Sequence, residues 1–399
     1  MQVRRAYKFL LRPTSKQAAA LSACLEDHRQ LYNAALEERR EAWRMRALPV
    51  SYNRQAVQLP AIRAADHGGQ GRWSAGAQQQ TLRRLDKAFA AFFRRVKAGD
   101  RKPGYPRFKG RGWFDSIDWP AEKNGARWDS VPHPAVTRVY LLGIGHVRVH
   151  GHRAVKGRVK TITAKREGSR WYVVLSCDDV PAEPLPATGA AVGIDIGVAS
   201  FLTTSDGAHV RNPRHLAASA GRLAVAQQAL ARKRRGSNRR RKAVRKVAAL
   251  HGKVRRSRLD HAHKTALALV RDYNVIAHEA LNVANMTRRP APRPAGDGTY
   301  EPNRAAAKAG LNRSILDAGW GVFLNILRAK AESAGRVVTG VNPSHTSQRC
   351  AQCGHVAAGN RVSQAVFRCL ACGNEAHADV NAAINILRAG LALQGAEAA

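Results

Sequence analysis

The chain has no apolar run approaching the ~20 residues of a membrane span. Its basic start, MQVRRAYKFLLRP, reaches polar Ser15 and Lys16 without the apolar core of a signal peptide. A cytoplasmic protein is expected. Acid is the second scarcity: 28 Asp and Glu stand against 67 Lys and Arg in 399 residues, a net charge of +39. The stretch ARKRRGSNRRRKAVRKVAALHGKVRRSR, Ala231 to Arg258, holds no acid at all, whereas a merely well-solvated surface would mix both signs. So uneven a balance strains a compact fold unless a polyanion neutralises it, and nucleic acid is the expected partner. Cysteine is scarce too. Of six, Cys350, Cys353, Cys369 and Cys372 cluster while Cys24 and Cys177 stand alone, which is the arithmetic of a metal site and not of a secreted disulfide framework. The lone two are expected to be small core residues. With 44% hydrophobic residues the chain is no disordered tail, and its length allows two or three domains.

The opening VRRAYKFLLRP reads as a strand stopped at Pro13, followed by helical periodicity through Leu21, Cys24, Leu25, Leu31, Tyr32 and Leu36, and by a second helix in AQQQTLRRLDKAFAAFFRRVKAG. In RKPGYPRFKGRGWFDS, Lys102, Arg107, Lys109 and Arg111 interleave with Tyr105, Phe108, Trp113 and Phe114. Cations for phosphates and rings for base stacking suit single strands or deformed duplexes, though such rings equally anchor a loop to a core. From Trp119 to Cys177 short alternating strands predict a small barrel or sheet. PAEPLPATG, three prolines in nine residues, marks the main domain boundary. Beyond it, AVGIDIGVASFLTTSDGAHVRN predicts two or three antiparallel strands, followed by the basic helix, a separate helix in HAHKTALALVRDYN, the strand VIAHEAL, a mobile loop or lid from Thr287 to Asn303, a helix around Ser314 to Ala334, the strand GRVVTGV and a final helix. The order predicts a mixed α/β sheet covered by helices.

Two Cys-x-x-Cys pairs separated by fifteen residues predict a tetrahedral zinc ribbon whose closed thiolate shell is structural. Asp195 in GIDIG interrupts a strand, where aspartate is disfavoured and costly if buried. Glu279 closes an apolar strand, a place that also hosts glutamates with no role. Asp379 opens the last helix, where an aspartate is commonly a cap. Together the three acquire a purpose: phosphodiester hydrolysis brings a negative nucleophile to a negative phosphate, which two Mg²⁺ ions roughly 3.5 to 4 Å apart permit, and hard cations need carboxylates converging from separate elements.

At these residues the sequence resembles the TnpB proteins of bacterial insertion sequences, relatives of the compact type V CRISPR effectors. The resemblance runs through GYPRFKGRG, GIDIGVASFLTTSDG, ALARKRRGSNRRRKAVRKVAALH, IAHEALNV, TSQRCAQCGH and RCLACGNEAHADVNAAINIL. It implies an α/β multidomain protein: a RuvC-like, RNase H-type nuclease domain with an inserted zinc ribbon, preceded by a β-barrel wedge domain that carries a helical recognition domain. The implied spans are residues 1–12 for the first wedge strand, 13–112 for the recognition domain, 113–187 for the barrel, 188–341 for the first part of the nuclease, 342–375 for the ribbon, 376–390 for the final helix and 391–399 for a tail. The resemblance assigns the nuclease acids to Asp195, Glu279 and Asp379, holding two Mg²⁺ or Mn²⁺ ions, and one Zn²⁺ to the four cysteines. It implies a guide RNA transcribed with the element and a DNA target with a short flanking motif. Contacts to nucleic acid are expected from Lys102, Tyr105, Arg107, Phe108, Lys109 and Arg111 and from Arg239, Arg240 and Arg241. Where many members carry Asp-Arg-Asp before the final helix and an acidic pair in the Glu strand, this chain has His377, Ala378, Asp379 and His278, Glu279, Ala280. The expected activity is RNA-guided DNA cleavage; a non-catalytic DNA-binding repressor and a strand-transferring transposase are the alternatives.

Overall fold

The computed structural model describes residues 2–120, 122–129 and 136–398, which fall into two units, Met1–Pro181 and Ala182–Ala399. In the first, β1 (Gln2–Arg12) buries Tyr7, Phe9 and Leu11 at the two-residue period of a strand. Pro13 ends it, and Thr14 caps α1 (Ser15–Arg46): its hydroxyl accepts from the Gln17 N–H while the Gln17 side chain accepts from the Thr14 N–H. Two short helices, α2 (Tyr52–Val57) and α3 (Leu59–Ala65), lead to α4 (Ala75–Lys97), which packs on α1. Then follow β2 (Ser116–Trp119), β3 (Ala126–Arg127), β4 (Arg138–Leu141), β5 (Gly145–His150), β6 (Arg158–Glu167) and β7 (Arg170–Pro181). All pair antiparallel in one seven-stranded sheet of order β2-β6-β7-β1-β5-β4-β3. Because β1 lies inside that order, the helices are an insertion between the first strand and the rest of its sheet.

The second unit opens with the antiparallel run β8 (Ala191–Asp195), β9 (Ser200–Thr204) and β10 (His209–Arg211). Helices α5 (Ala220–Ala231) and α6 (Asn238–Asp272) lead to β11 (Val275–Glu279), parallel to β8. After α7 (Val283–Met286) come a small hairpin of β12 (Arg293–Pro294) and β13 (Tyr300–Glu301), then α8 (Ala305–Ala318), α9 (Trp320–Ala334) and β14 (Val337–Val341), which pairs parallel with β11. The sheet order is β10-β9-β8-β11-β14. A ribbon hairpin of β15 (Val366–Arg368) and β16 (Glu375–His377) runs into α10 (Ala378–Ala398).

Several expectations change. The segment read as one helix around Ser314 to Ala334 is two, broken at Gly319, whose φ of 75° leaves the right-handed helical region; periodicity continues across the break and hides it. The basic stretch is divided by a turn containing Gly236 and capped by the Ser237 hydroxyl, and α6 then continues through HAHKTALALVRDYN as far as Asp272 without interruption. The loop from Thr287 to Asn303 holds the short hairpin just described, and the final helix extends past residue 390.

Strand alternation sorts the two faces of this sheet. Val192 and Ile194 on β8 and Ile276 on β11 pack with Ala262, Ala266 and Leu269 of α6 and Phe323 and Leu327 of α9. Gly193 and Ala277 therefore face the other way, toward α10, and so do Asp195 and Glu279, two positions further along. The helix comes very close: a Cβ on Gly193 would stand 2.0 Å from the Ala383 carbonyl oxygen, and one on Gly390 would stand 2.5 Å from the Ala277 Cβ.

Gly193→Ala should thus destabilise this unit by roughly 1 to 3 kcal/mol through overpacking, read as a lowered melting temperature. Gly310→Ala, at an exposed helical position where a Cβ meets nothing within 4 Å, should hold or raise it by up to about 1 kcal/mol through helix propensity. Equal melting temperatures for both variants would contradict this account of the packing.

Candidate active site

Parallel pairing of β8 with β11 sets Ile194 opposite His278, so Asp195 and Glu279 end adjacent strands at the same level and on the same face. Asp379 enters that face from the first turn of α10 and is 8% exposed. The three acids sense one another. Burial first, then the charges of Glu279 and Asp379, push the Asp195 carboxyl up to about 7, while Arg361 pulls it down. Burial likewise raises Glu279, opposed by the Thr346 hydroxyl, which donates to its Oε1, and by Arg361. Arg361 donates to Asp379 Oδ1 at 3.2 Å. As for the cap, the Asp379 N–H donates to His377 Nδ1 at 3.3 Å, so the ring of the residue just before the helix serves that backbone group while the Asp379 carboxylate meets a guanidinium.

On the opposite face His278 is fully buried. Its Nδ1 lies 2.7 Å from the Glu279 carbonyl oxygen and its Nε2 lies 3.1 Å from Arg328 Nη2. Guanidinium only donates, so Nε2 accepts and Nδ1–H donates. Burial, the largest cause, lowers the His278 pKa, and the ring stays neutral as a brace for the strand end that carries Glu279.

The four cysteines form one cluster with sulfurs within 4.8 Å of one another. The two knuckles repeat a single geometry. Cys350 N–H donates to the His355 carbonyl and Gly354 N–H to the Cys350 carbonyl; Cys369 N–H donates to the Asn374 carbonyl and Gly373 N–H to the Cys369 carbonyl. Each turn needs positive φ, 79° at Gly354 and 71° at Gly373, which glycine supplies without strain. Burial opposes ionisation of Cys350, but the backbone N–H groups of Cys353 and Gln352 and the neighbouring thiols outweigh it and bring its thiol down to about 6. At Cys372 the Asn374 N–H favours the thiolate, yet its sulfur neighbours Cys353, Cys369 and Cys350 push the thiol up to about 12. Four thiolates cannot coexist there without a cation, and a soft divalent ion is what the donor set fits.

Sequence reasoning missed the ties between ribbon and helix. Asn381 and Asn385, both buried, sit one turn apart on α10. Asn381 accepts from the Ala351 N–H at 2.8 Å and donates to the Arg349 carbonyl at 2.8 Å; Asn385 donates to the carbonyls of Thr346 and Arg349 at 3.0 and 2.7 Å. Asn360 joins the knuckles, donating to the Gln348 and His355 carbonyls and accepting from the Leu370 N–H. Two asparagines four apart in an otherwise apolar helix were the available signal.

The expected nucleic-acid contacts divide. Tyr105 is 44% exposed but packs edge-on against Phe89 and Phe92, the Lys109 ammonium lies over the Tyr32 ring, and the Lys109 backbone is held by Asn33 and Arg29, so these two anchor the loop. Phe114 is buried. Lys102, Arg107, Phe108 and Arg111 are exposed, as is Trp113. In α6, Arg240 donates to the Leu230 and Lys233 carbonyls and so closes the turn after α5, Arg241 donates to Asn238, and Arg239 is exposed.

Residues 172–289 match a family described as "Probable transposase", residues 320–386 a "Cas12f1-like, TNB domain", and residues 1–47 a "Helix-turn-helix domain"; that last stretch folds here as β1 and one uninterrupted helix. The chain is 34% identical to "Putative RNA-guided DNA endonuclease InsQ" of Escherichia coli (strain K12), covering 98% of this chain and 93% of that protein. It is also 34% identical to a "Putative RNA-guided DNA endonuclease" of Streptomyces pristinaespiralis, covering 98% and 90%. Among solved structures, a Cas12f1–sgRNA–target DNA complex shares the fold with a TM-score of 0.59 at 12% identity, covering 96% of this chain and 98% of that one.

The raised Asp195 carboxyl has a measurable consequence. The folded protein keeps a proton that the unfolded chain releases near pH ~4, so the stability this group contributes is complete below that pH and is lost as pH rises through about 7. In metal-free buffer the melting temperature should decline from about pH 4 to about pH 7, and Asp195→Asn should flatten that decline. A decline of the same size in the variant would place its origin elsewhere.

Proposed function

The chain belongs to the TnpB family of insertion-sequence proteins, and from that premise we propose that it is an RNA-guided DNA endonuclease cleaving phosphodiester bonds at Asp195, Glu279 and Asp379. The observation that carries this reading is the convergence of three carboxylates, from two strand ends and one helix start, on a single partly buried face, where burial and then their mutual repulsion raise the Asp195 carboxyl. Such oxygen donors fit hard divalent cations, Mg²⁺ or Mn²⁺. When bound there, two such ions activate a water and stabilise the leaving oxygen. The chain's own groups set the stage: Thr346 orients Glu279, Arg361 orients Asp379 and adds positive charge, and the N-terminus of α10 turns its peptide dipoles toward an approaching phosphate. The four cysteines bind one Zn²⁺, which has no open position and acts by holding the ribbon that supplies Thr346 and Arg361.

In this reading the second unit is the RuvC-like nuclease domain, residues 188–341 and 376–398, interrupted by the ribbon at 342–375. The seven-stranded sheet is the wedge barrel, and residues 13–112 are the recognition domain inserted after its first strand. The partners are a guide RNA from the same element and target DNA with a short flanking motif, contacted by Lys102, Arg107, Phe108, Arg111 and Arg239 among others. A strand-transferring transposase would join element ends, and a repressor would need no carboxylates.

Asp379→Asn should fold and melt within a degree or two of the parent, since the backbone cap comes from His377 and small stability changes shift melting little in a chain of this size. Its Mg²⁺-dependent cleavage of guide-matched DNA should fall about a thousandfold, the effect of losing ~4 kcal/mol of charge stabilisation. Normal cleavage by a well-folded Asp379→Asn protein would overturn the assignment. Separately, Cys350→Ser should release zinc, measured as metal content per chain, and lower the melting temperature, whereas Asp379→Asn should retain its zinc. Full zinc content in Cys350→Ser would remove that cysteine from the shell.

A further inference from the structure

One row of charge in the first unit has no counterpart in the site just described. Strand pairing places Arg12 opposite Arg148, and Arg148 opposite Arg138, across three neighbouring strands in the order β1-β5-β4. Directly paired residues project from the same face, so the three guanidinium groups form a lateral row about 10 Å long at ordinary strand spacing. Arg12 and Arg148 are exposed and Arg138 is half-buried. The residues beside them along the strands, Leu11, Val139, Val147 and Val149, are buried on the opposite face and fix the row to a packed layer.

Like charges directly opposite one another destabilise a sheet, and elsewhere in this unit such cost is relieved by acids: Arg84 meets Asp118, Lys8 meets Glu167 and Lys160 meets Asp178. Among the described residues no side-chain ion pair or hydrogen bond serves Arg12, Arg138 or Arg148. Beside the row lies a cavity of 360 Å³ lined by Arg12, Thr137, Arg148, Val149, His150 and Gly151. Its lining combines two guanidinium forks with a hydroxyl, and among the described residues no carboxylate lines it. A guanidinium presents paired donors that match phosphate oxygens, and successive phosphates of a strand answer a line of cations better than a single anion does.

We propose that the Arg12–Arg148–Arg138 row and its adjoining cavity bind consecutive phosphates of one nucleic-acid strand, making this outer face of the sheet a backbone-tracking surface. The proposal rests on the reading of the protein as one that handles nucleic acid, not on the chemistry at the carboxylates. Phosphate contacts fix register and orientation without reading sequence, so the surface positions a bound strand whatever its bases. RNA and DNA share the required phosphodiester, and the test separates them.

The test uses the full chain without Mg²⁺, a labelled RNA duplex and a DNA duplex of the same sequence, with affinities measured from roughly 50 to 200 mM salt. In the triple variant Arg12→Gln, Arg138→Gln, Arg148→Gln, the log-log salt slope should flatten by about 2 to 3 for the duplex that seats there, each lost contact removing about 0.7 to 0.9. Flattening with RNA alone identifies an RNA strand, with DNA alone a DNA strand, and either supports the site. The melting temperature of the free triple variant should stay level or rise, because mutual repulsion is removed. The matching triple lysine variant keeps the charge and should keep the slope. Unchanged slopes on both duplexes overturn the proposal, as does equal flattening in the lysine variant, which would mark a structural role. Since no cleavage is read, failure here is distinct from failure of the nuclease reading.

Discussion

The approach of α10 to the sheet is the constraint from which the rest of the second unit follows. Helix and strand come together only because residue 193 lacks a side chain where the Ala383 carbonyl would meet it. Once the helix lies there, the two-residue period of β8 and β11 leaves Asp195 and Glu279 no other side to occupy, since Val192, Ile194 and Ile276 are claimed by the core beneath α6 and α9. The start of the same helix carries Asp379. A single packing contact thus turns three residues far apart in the chain into one electrostatic unit.

That unit is costly. Three carboxylates at one partly buried face repel: burial and this repulsion raise the Asp195 carboxyl to about 7, and Arg361, a cation from the ribbon, opposes the rise. The ribbon in turn is bolted to α10 by Asn381 and Asn385 through backbone groups of residues 346, 349 and 351. The cysteine cluster and the three carboxylates are therefore mechanically continuous: the knuckles hold the segment that meets Glu279 through Thr346 and Asp379 through Arg361. Stability here is spent on arranging charge, as is usual where local rules are broken at a functional site.

Where the basic residues are concerned, the fold separates cations that close turns from cations that stay exposed. Arg240 and Lys109 lie in the two most conspicuous basic stretches, yet Arg240 closes the turn after α5 and the Lys109 backbone anchors its loop. The Arg12, Arg138 and Arg148 row draws one arginine from each of three strands, and only β1 is basic along its length.

The sequence by itself determined the chemistry: four cysteines whose spacing admits one cation, an aspartate in a strand that propensity disfavours, and a charge of +39 that calls for a polyanion. These are legible because they are violations of local rules, and a violation shows in the residue and its immediate neighbours. It left Asp379 divided between cap and ligand, since both uses place an acid at a helix start. Only the tertiary structure set the cap aside, by giving the backbone N–H to His377 and the carboxylate to Arg361. The helix break at Gly319, the asparagine ties and the arginine row were likewise decided in three dimensions. Each depends on which backbone group or strand arrives alongside, and that is set by close packing between segments tens of residues apart, where no spacing within the chain records it.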